Sequence, residues 1–246
     1  MPFITTSRNS LPPGLLKTLG DPLTIRLYDV DATTEPVFLS QYLKHGEKEV
    51  DILTEQIRER FSDLPRIPLM LKLVAVVYDT DGEVPKNTAT LFRKYTTQLL
   101  GEDKTGVEFT SALEYVIYYL VSATYLRSGG DRGFSEKRAI ELLMQIKDDL
   151  EARKIKLILI ELLELLKRAS LYKQVGRQLR FFHDSLESYF GARALESDFS
   201  DNNYELLRQC AGNERLTETW RFLNEMLESP EDKLQLDMVL QQNPSR

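Results

Sequence analysis

The sequence predicts a mainly α-helical protein that carries one β-hairpin and two short strands near its start. Three observations lead to this fold class. Apolar residues recur at helical spacing through most of the chain after residue 31. Two apolar-rich segments, 171–175 and 178–182, flank a Gly-Arg pair, which is typical of a β-hairpin. Two further short runs, 3–6 and 23–27, have the composition of strands.

The helices before the hairpin are predicted from apolar spacing, capping residues and proline positions. Asp31 or Thr33 can cap the first helix, Asn87 or Thr88 a later one, and Ser135 another. Together these signals predict helices over about 33–43, 50–64, 69–78, 88–100, 107–127, 136–150 and 155–169.

Helices are predicted after the hairpin as well. The next one buries Leu186, Tyr189, Phe190 and Ala194, and two shorter amphipathic helices follow over 204–210 and 216–227. Helices on both sides of a hairpin favour a winged-helix subdomain, and the other helices favour a helical bundle.

Composition excludes several classes of function. The chain has 246 residues and a formal charge of -6, which argues against nucleic-acid binding because phosphate contacts need a basic surface. The single cysteine, Cys210, excludes an internal disulfide, and two histidines, His45 and His183, exclude a multi-histidine metal site. The sequence shows neither a signal peptide nor a membrane span, so we expect a cytoplasmic protein.

Common catalytic motifs are also missing from the sequence. Neither HExxH nor GxSxG occurs, and 79–82 is a turn rather than a calcium loop. The glycine-rich segment 128–133 lacks the Lys-Ser/Thr end of a phosphate-binding loop. We therefore expect that this chain cannot hydrolyse a nucleotide alone.

Three local patterns carry a family resemblance. The first is Ile4-Thr5-Thr6-Ser7-Arg8, an apolar strand that ends in Thr-Ser-Arg. The second begins Arg66-Ile67-Pro68-Leu69-Met70-Leu71 and continues through a Gly-Pro turn into the helix that contains Leu91-Phe92-Arg93-Lys94-Tyr95. The third is the segment 179–195, Leu-Arg-Phe-Phe-His-Asp-Ser-Leu-Glu-Ser-Tyr-Phe-Gly-Ala-Arg-Ala-Leu.

These patterns resemble, in order, the sensor strand, the first helical domain and the end of the winged helix of NACHT-type signalling NTPases of the STAND class. The resemblance implies that Arg8 points toward the γ-phosphate, that Pro68 packs on the adenine ring, and that His183 reaches the β-phosphate of ADP. The third pattern departs from the family's Phe-x-His-x-x-Phe/Leu-Gln-Glu-Tyr/Phe-Phe-Ala-Ala in having Glu187-Ser188 and Gly191. The second pattern has Ile67 before the proline, where the family usually has Asn or Gly.

The resemblance also implies a domain organisation. Residues 1–31 would be a two-strand remnant of an α/β nucleotide-binding sheet, 32–104 a first helical domain, 105–197 a winged-helix domain and 198–246 the start of a second helical domain. The phosphate-binding loop and the acidic magnesium strand lie upstream of the sensor strand in this family. The chain would then be a fragment, the regulatory C-terminal part of a bacterial defence or innate-immunity signalling ATPase.

The resemblance further implies cofactors and partners. ATP or ADP with Mg²⁺ would bind only in the full-length parent, which would form homo-oligomers. The missing N-terminal NTPase core would be a partner in cis or in trans, and no nucleic acid or membrane would be involved.

Plainer interpretations stay open for each residue. Strands often end in an exposed arginine such as Arg8, proline commonly starts a helix as Pro68 would, and a histidine like His183 often caps one. The alternative function is a non-enzymatic, all-helical protein-interaction module.

Overall fold

A computed structural model describes residues 29–44, 47–61, 64, 66–101, 106–152, 163–164, 166–167 and 171–241. Within these residues the chain is mainly helical and contains one small antiparallel sheet. The helices are α1 (Glu35–Ser40), α2 (Glu47–Arg60), α3 (Pro68–Asp81), α4 (Thr88–Gly101), α5 (Gly106–Val121), α6 (Glu136–Gln145), α7 (Lys147–Ala152), α8 (Asp184–Ser200), α9 (Glu205–Cys210), α10 (Thr217–Met226) and α11 (Pro230–Gln241). The strands are β1 (Phe134–Ser135), β2 (Tyr172–Val175) and β3 (Gln178–Phe181). The predicted coarse fold class is confirmed.

Local signals in the first half predicted where its helices lie, but the cap predicted for α1 is wrong. The N-cap is Thr34, whose side chain makes no capping hydrogen bond, and Asp31 Oδ1 accepts from the amides of Thr33 and Thr34 in the turn before the helix. The helix predicted over 50–64 ends earlier, at Arg60, but the apolar residues of its predicted face are all buried: Val50, Leu53 and Ile57 in α2, and Phe61 and Leu64 after it. Asn87 caps α4, because its Oδ1 accepts a hydrogen bond from the Thr90 amide at 2.8 Å. Helix α3 ends at Gly82, whose φ of 74° is the left-handed conformation that glycine adopts without strain.

The helix predicted over 107–127 changes its geometry before it ends. Helix α5 stops at Val121, and a π-helical turn follows over Ser122–Leu126. The amide of Arg127 bonds to the Ser122 carbonyl at 3.1 Å, the wider i to i+5 spacing that defines a π turn. The turn carries Tyr125 into the centre of the molecule, where its side chain is fully buried.

The helix predicted from Ser135 begins as expected but is divided in two. The hydroxyl of Ser135 accepts a hydrogen bond from the Arg138 amide at 3.1 Å and caps α6. The chain leaves the α conformation at Ile146, whose φ is -106°, and α7 begins at Lys147.

The predicted hairpin is confirmed as β2 and β3, with a positive φ of 62° at Gly176 in the turn. Strand β1 was not predicted, because two residues are too short for an alternating pattern. Phe134 pairs with Leu179 and Ser135 with Gln178, so the sheet order is β1-β3-β2.

Helix α8 is the central element of the second half. It packs against α4, α5, α9, α10, the π turn and β3, and for this reason residues on most of its sides are buried. The predicted buried residues Leu186, Tyr189, Phe190 and Ala194 all lie in this core. Helix α11 was not predicted, since its apolar residues surround the helix and form no single face.

Several predictions lie outside the described residues. These are the strands 3–6 and 23–27, the residues Arg8 and His45, and most of the helix predicted over 155–169.

Candidate functional site

Pro68 is the first residue of α3, and its ring is exposed. The preceding Ile67 is extended, with φ -83° and ψ 148°, and its side chain makes no capping hydrogen bond. Proline is favoured at this position because it has no amide proton to satisfy and its fixed φ suits the helix. The plainer interpretation of Pro68 is therefore correct, and its exposed ring also remains accessible for an apolar contact.

A buried ion pair fixes the segment that leads into α3. Arg66 Nε lies 3.1 Å from Glu35 Oε2, and the Glu35 side chain is only 4% exposed. The Arg66 carbonyl also accepts a hydrogen bond from the Val30 amide at 2.7 Å. Arg66 stands just before Ile67 and Pro68, so these two contacts hold the start of α3 against α1 and against the segment that precedes α1.

His183 joins the hairpin to α8 and caps that helix. Its backbone is extended, and Nδ1 accepts a hydrogen bond from the Ser185 amide at 3.1 Å. A neutral imidazole that accepts at Nδ1 carries its proton on Nε2, which is then a hydrogen-bond donor. The side chain is half-buried, so the capping role and a donor role at Nε2 are compatible.

An arginine from the loop before β1 neutralises the first turn of α8. Arg132 Nη1 lies 3.4 Å from Asp184 Oδ1 and 3.5 Å from Glu187 Oε2. Its Nη2 donates to Ser188 Oγ at 3.4 Å, and its guanidinium lies over the Tyr125 ring, 5.4 Å from the ring centroid. One side chain thus ties the loop, the π turn and α8 together.

Glu187 is the most perturbed carboxyl group near this junction. Its side chain is 3% exposed, and burial raises its pKa from 4.5 to about 7. Arg132 and Arg180 act in the opposite direction, whereas the negative charge of Asp184 raises the pKa further. Glu187 therefore changes its charge near neutral pH.

Tyr172 of β2 also lies in this interior. Its ring packs on Phe181 at a centroid distance of 4.3 Å, and burial, followed by the nearby Glu187, raises the pKa of its hydroxyl well above the usual value. The hydroxyl is buried and makes no hydrogen bond within the described chain.

The two departures from the family pattern in α8 have structural explanations. Ser188 presents its hydroxyl to Tyr125 Oη at 3.4 Å, and that phenol also lies 3.2 Å from Thr219 Oγ1 of α10. A Cβ atom at Gly191 would lie 3.2 Å from the Tyr125 ring and 3.3 Å from Leu126 Cδ2. Both residues are therefore adapted to the π turn.

The candidate residues lie on elements that share a neighbour. Helix α3, which carries Pro68, packs against α1 and α4, and α8, which follows His183, also packs against α4. Arg8 lies outside the described residues, so its position relative to the other two is a prediction only.

Neither a metal site nor a membrane span is found in the described part of the chain. No three histidine, cysteine or acidic side chains cluster there in a way that could hold a metal ion. None of the helices described has both the length and the apolar character needed to cross a membrane.

The sequence matches no protein-family model and no curated protein. The functional interpretation therefore depends on the residues and on their geometry.

Sequence reasoning missed Arg132 and the environment of Glu187. Arg132 follows a glycine-rich turn, and nothing in its local sequence indicates that it contacts α8, some fifty residues later. Glu187 stands between Leu186 and Ser188 in a helix that is buried on most of its sides, so no single apolar face in the sequence indicated that this carboxyl group is buried.

Proposed function

We propose that this chain is the C-terminal regulatory part of a NACHT-type signalling NTPase of the STAND class. It would supply nucleotide contacts from Pro68, His183 and Arg8 but would not hydrolyse a nucleotide alone. The observation that carries the proposal is the position of His183, which directly follows the hairpin and caps a long buried helix through Nδ1. This is the position at which the family places its ADP-sensing histidine.

The arrangement of the sheet supports a winged-helix subdomain around this residue. Helix α5 precedes β1, helices α6 and α7 lie between β1 and β2, and the sheet order is β1-β3-β2. A short first strand that pairs with the last strand of a hairpin is the usual topology of a winged helix. The short β1 is thus a further feature, besides the hairpin and its flanking helices, that favours a winged-helix subdomain.

The electrostatics of the junction are compatible with a phosphate group near His183. Asp184 is adjacent to it and would repel an anion, but Arg132 lies within ion-pair distance of its carboxylate. Burial keeps Glu187 largely protonated below about pH 7, which further limits the negative charge. Under this proposal the protein acts in signalling in the cytoplasm, and Mg²⁺-bound ATP or ADP requires the N-terminal core.

An NMR titration with Mg-ADP of the labelled chain, assembled with the N-terminal NTPase core that the proposal requires, tests the proposed contacts. At millimolar nucleotide we expect shifts at the His183 imidazole and at the Leu69 amide next to Pro68. His183→Asn is the matched variant, because asparagine keeps the helix cap but lacks the Nε2 donor. The absence of shifts at both places would contradict the proposed role of this residue. An unchanged shift at the Leu69 amide in His183→Asn would contradict it as well.

A protein-interaction module is the second candidate, and one observation favours it. Leu234 and Met238, one helical turn apart on α11, are 63% and 54% exposed. Exposed apolar side chains at this spacing are typical of a helix that packs against a partner. This alternative would be favoured if the chain dimerised or captured a partner, and if the double variant Leu234→Ser with Met238→Ser lost that binding. The binding should also show no response to nucleotide.

A further inference from the structure

The exposed face of the β-hairpin carries an unusual concentration of positive charge. Lys173 and Arg180 are directly opposite each other in the register of β2 and β3, and both are exposed. Arg177 extends from the exposed turn between them. Like charges directly across a strand pair destabilise a sheet, so this arrangement requires another explanation.

None of these three cations forms an ion pair in the described part of the chain, although the charge of Arg180 lowers the pKa of the buried Glu187. No carboxylate there lies within ion-pair distance of Lys173, Arg177 or Arg180, although the chain as a whole carries a charge of -6. The contacts of Arg180 are of other kinds. It donates to Gln178 Oε1 at 3.1 Å, and a Cβ at Gly133 would lie only 2.8 Å from its stem.

Two apolar side chains lie on the same face of the hairpin. Phe182 is 52% exposed and Val175 is 46% exposed. The ammonium of Lys173 lies 5.3 Å from the centroid of the Phe182 ring. The face is therefore both cationic and partly apolar.

In the part of the chain that the structure describes, the backbone beside this face has an open edge. Strand β2 is the outer strand of the sheet within the described residues. The Phe182 amide bonds to the Leu171 carbonyl, so by the alternation of an antiparallel ladder Tyr172 and Gln174 direct their amides and carbonyls away from β3. Such an edge can accept one more strand.

We propose that the hairpin binds an extended acidic peptide segment of a partner protein, which adds to the free edge of β2 and directs its carboxylates toward Lys173, Arg177 and Arg180. Side chains of an added strand alternate between the two faces, so acids at every second position would all meet the cationic face. A peptide matches both the charge and the open backbone edge. Nucleic acid matches only the charge, since it cannot continue a β ladder. This inference does not depend on the proposed nucleotide site.

The test uses the full chain and a fluorescein-labelled peptide of alternating valine and glutamate, followed by fluorescence anisotropy. We expect saturable binding that weakens at least about tenfold in the double variant Lys173→Glu with Arg180→Glu. The matched control is Lys48→Glu with Arg58→Glu, which reverses two exposed charges on α2 and should change the affinity less than about twofold. Circular dichroism verifies that both variants are folded.

A second pair of reagents separates strand addition from simple charge attraction. A peptide of the same sequence with methylated backbone amides keeps its charge but cannot form the ladder, so it should not bind. Gln174→Pro should have the same effect, because it removes an amide that faces the open edge rather than one within the hairpin.

Four results would overturn the proposal. They are the absence of binding at millimolar peptide, an equal loss of affinity in the α2 control, equal binding of the methylated peptide, and tighter binding of an oligo-dT of the same length than of the acidic peptide. The last result would identify the face as a nucleic-acid contact instead.

Discussion

At the scale of single residues, His183 has two roles that can be separated experimentally. Nδ1 caps α8 by accepting from the Ser185 amide, whereas the proposed nucleotide contact uses Nε2. His183→Ala removes both and should lower the free energy of unfolding by about 1 kcal/mol, the usual cost of losing a cap.

His183→Asn should retain most of that stability, because an asparagine side chain also accepts at the N-cap. Urea denaturation of the three proteins measures the difference. If the alanine and asparagine variants were equally destabilised, His183 would be acting through packing and not as a cap.

Glu187 predicts a specific pH dependence of stability. Its pKa in the folded chain, about 7, lies above its ordinary 4.5, so the folded state binds the proton more tightly than the unfolded state. The protonated Glu187 therefore makes its full contribution to the free energy of unfolding below about pH 4.5. This contribution declines as the pH rises toward 7 and is lost above that pH. At roughly 1.4 kcal/mol per pKa unit, ionisation of Glu187 costs on the order of 3 kcal/mol.

Glu187→Gln should remove this decline, so that the variant gains stability relative to the parent above neutral pH. Chemical denaturation at several pH values between 5 and 8.5 measures it. Asp184→Asn is the control, because Asp184 is half-exposed and should change the profile much less. If the free energy of unfolding depended on pH in the same way in the parent and in Glu187→Gln, Glu187 would not be in the buried environment described above.

At the scale of elements, the contact between α8 and the π turn depends on the absence of a side chain at Gly191. Alanine would normally stabilise a helix interior by about 1 kcal/mol relative to glycine. Here the added Cβ would press on the Tyr125 ring and on Leu126, and overpacking costs about 1–3 kcal/mol. We expect Gly191→Ala to lower the melting temperature.

Ser197→Ala, at an exposed position of the same helix, is the matched control and should raise stability by a few tenths of a kcal/mol. Thermal unfolding followed by circular dichroism compares the two variants. A more stable Gly191→Ala protein would mean that α8 does not pack closely on the π turn.

Elements were predictable from the sequence wherever their signals are local. Asn87, Ser135 and Pro68 mark helix starts through contacts within one turn, and the face of α2 follows from its apolar spacing. Features that depend on distant partners were not predictable. Strand β1 forms only because β3 lies beside it, and Arg132 finds its carboxylates in a helix that begins far along the chain.

The same distinction applies to the candidate site. The sequence identified His183 and its position between a hairpin and a helix, because both are local features. It did not reveal the raised pKa of Glu187, or that the buried Tyr172 hydroxyl has no hydrogen bond to a described residue, since burial is a property of the packed core.

At the scale of the whole molecule, we expect no ATP hydrolysis by the purified chain. Hydrolysis requires backbone amides and a lysine around the phosphates together with Mg²⁺ ligands, and the sequence has no phosphate-binding loop to supply them. A colorimetric phosphate-release assay against heat-treated protein measures this. Turnover above that background, abolished by Arg8→Ala, would mean that the chain contains a complete catalytic site.

Sequencing the gene upstream of the codon for Met1 decides whether this chain is, as proposed, the regulatory part of a NACHT-type NTPase. We expect a GxxxxGK[ST] phosphate-binding loop within about 150 residues, in the same or an adjacent reading frame and followed by an acidic strand for Mg²⁺. An upstream region that encodes no such loop would contradict the proposed function and would favour the protein-interaction module.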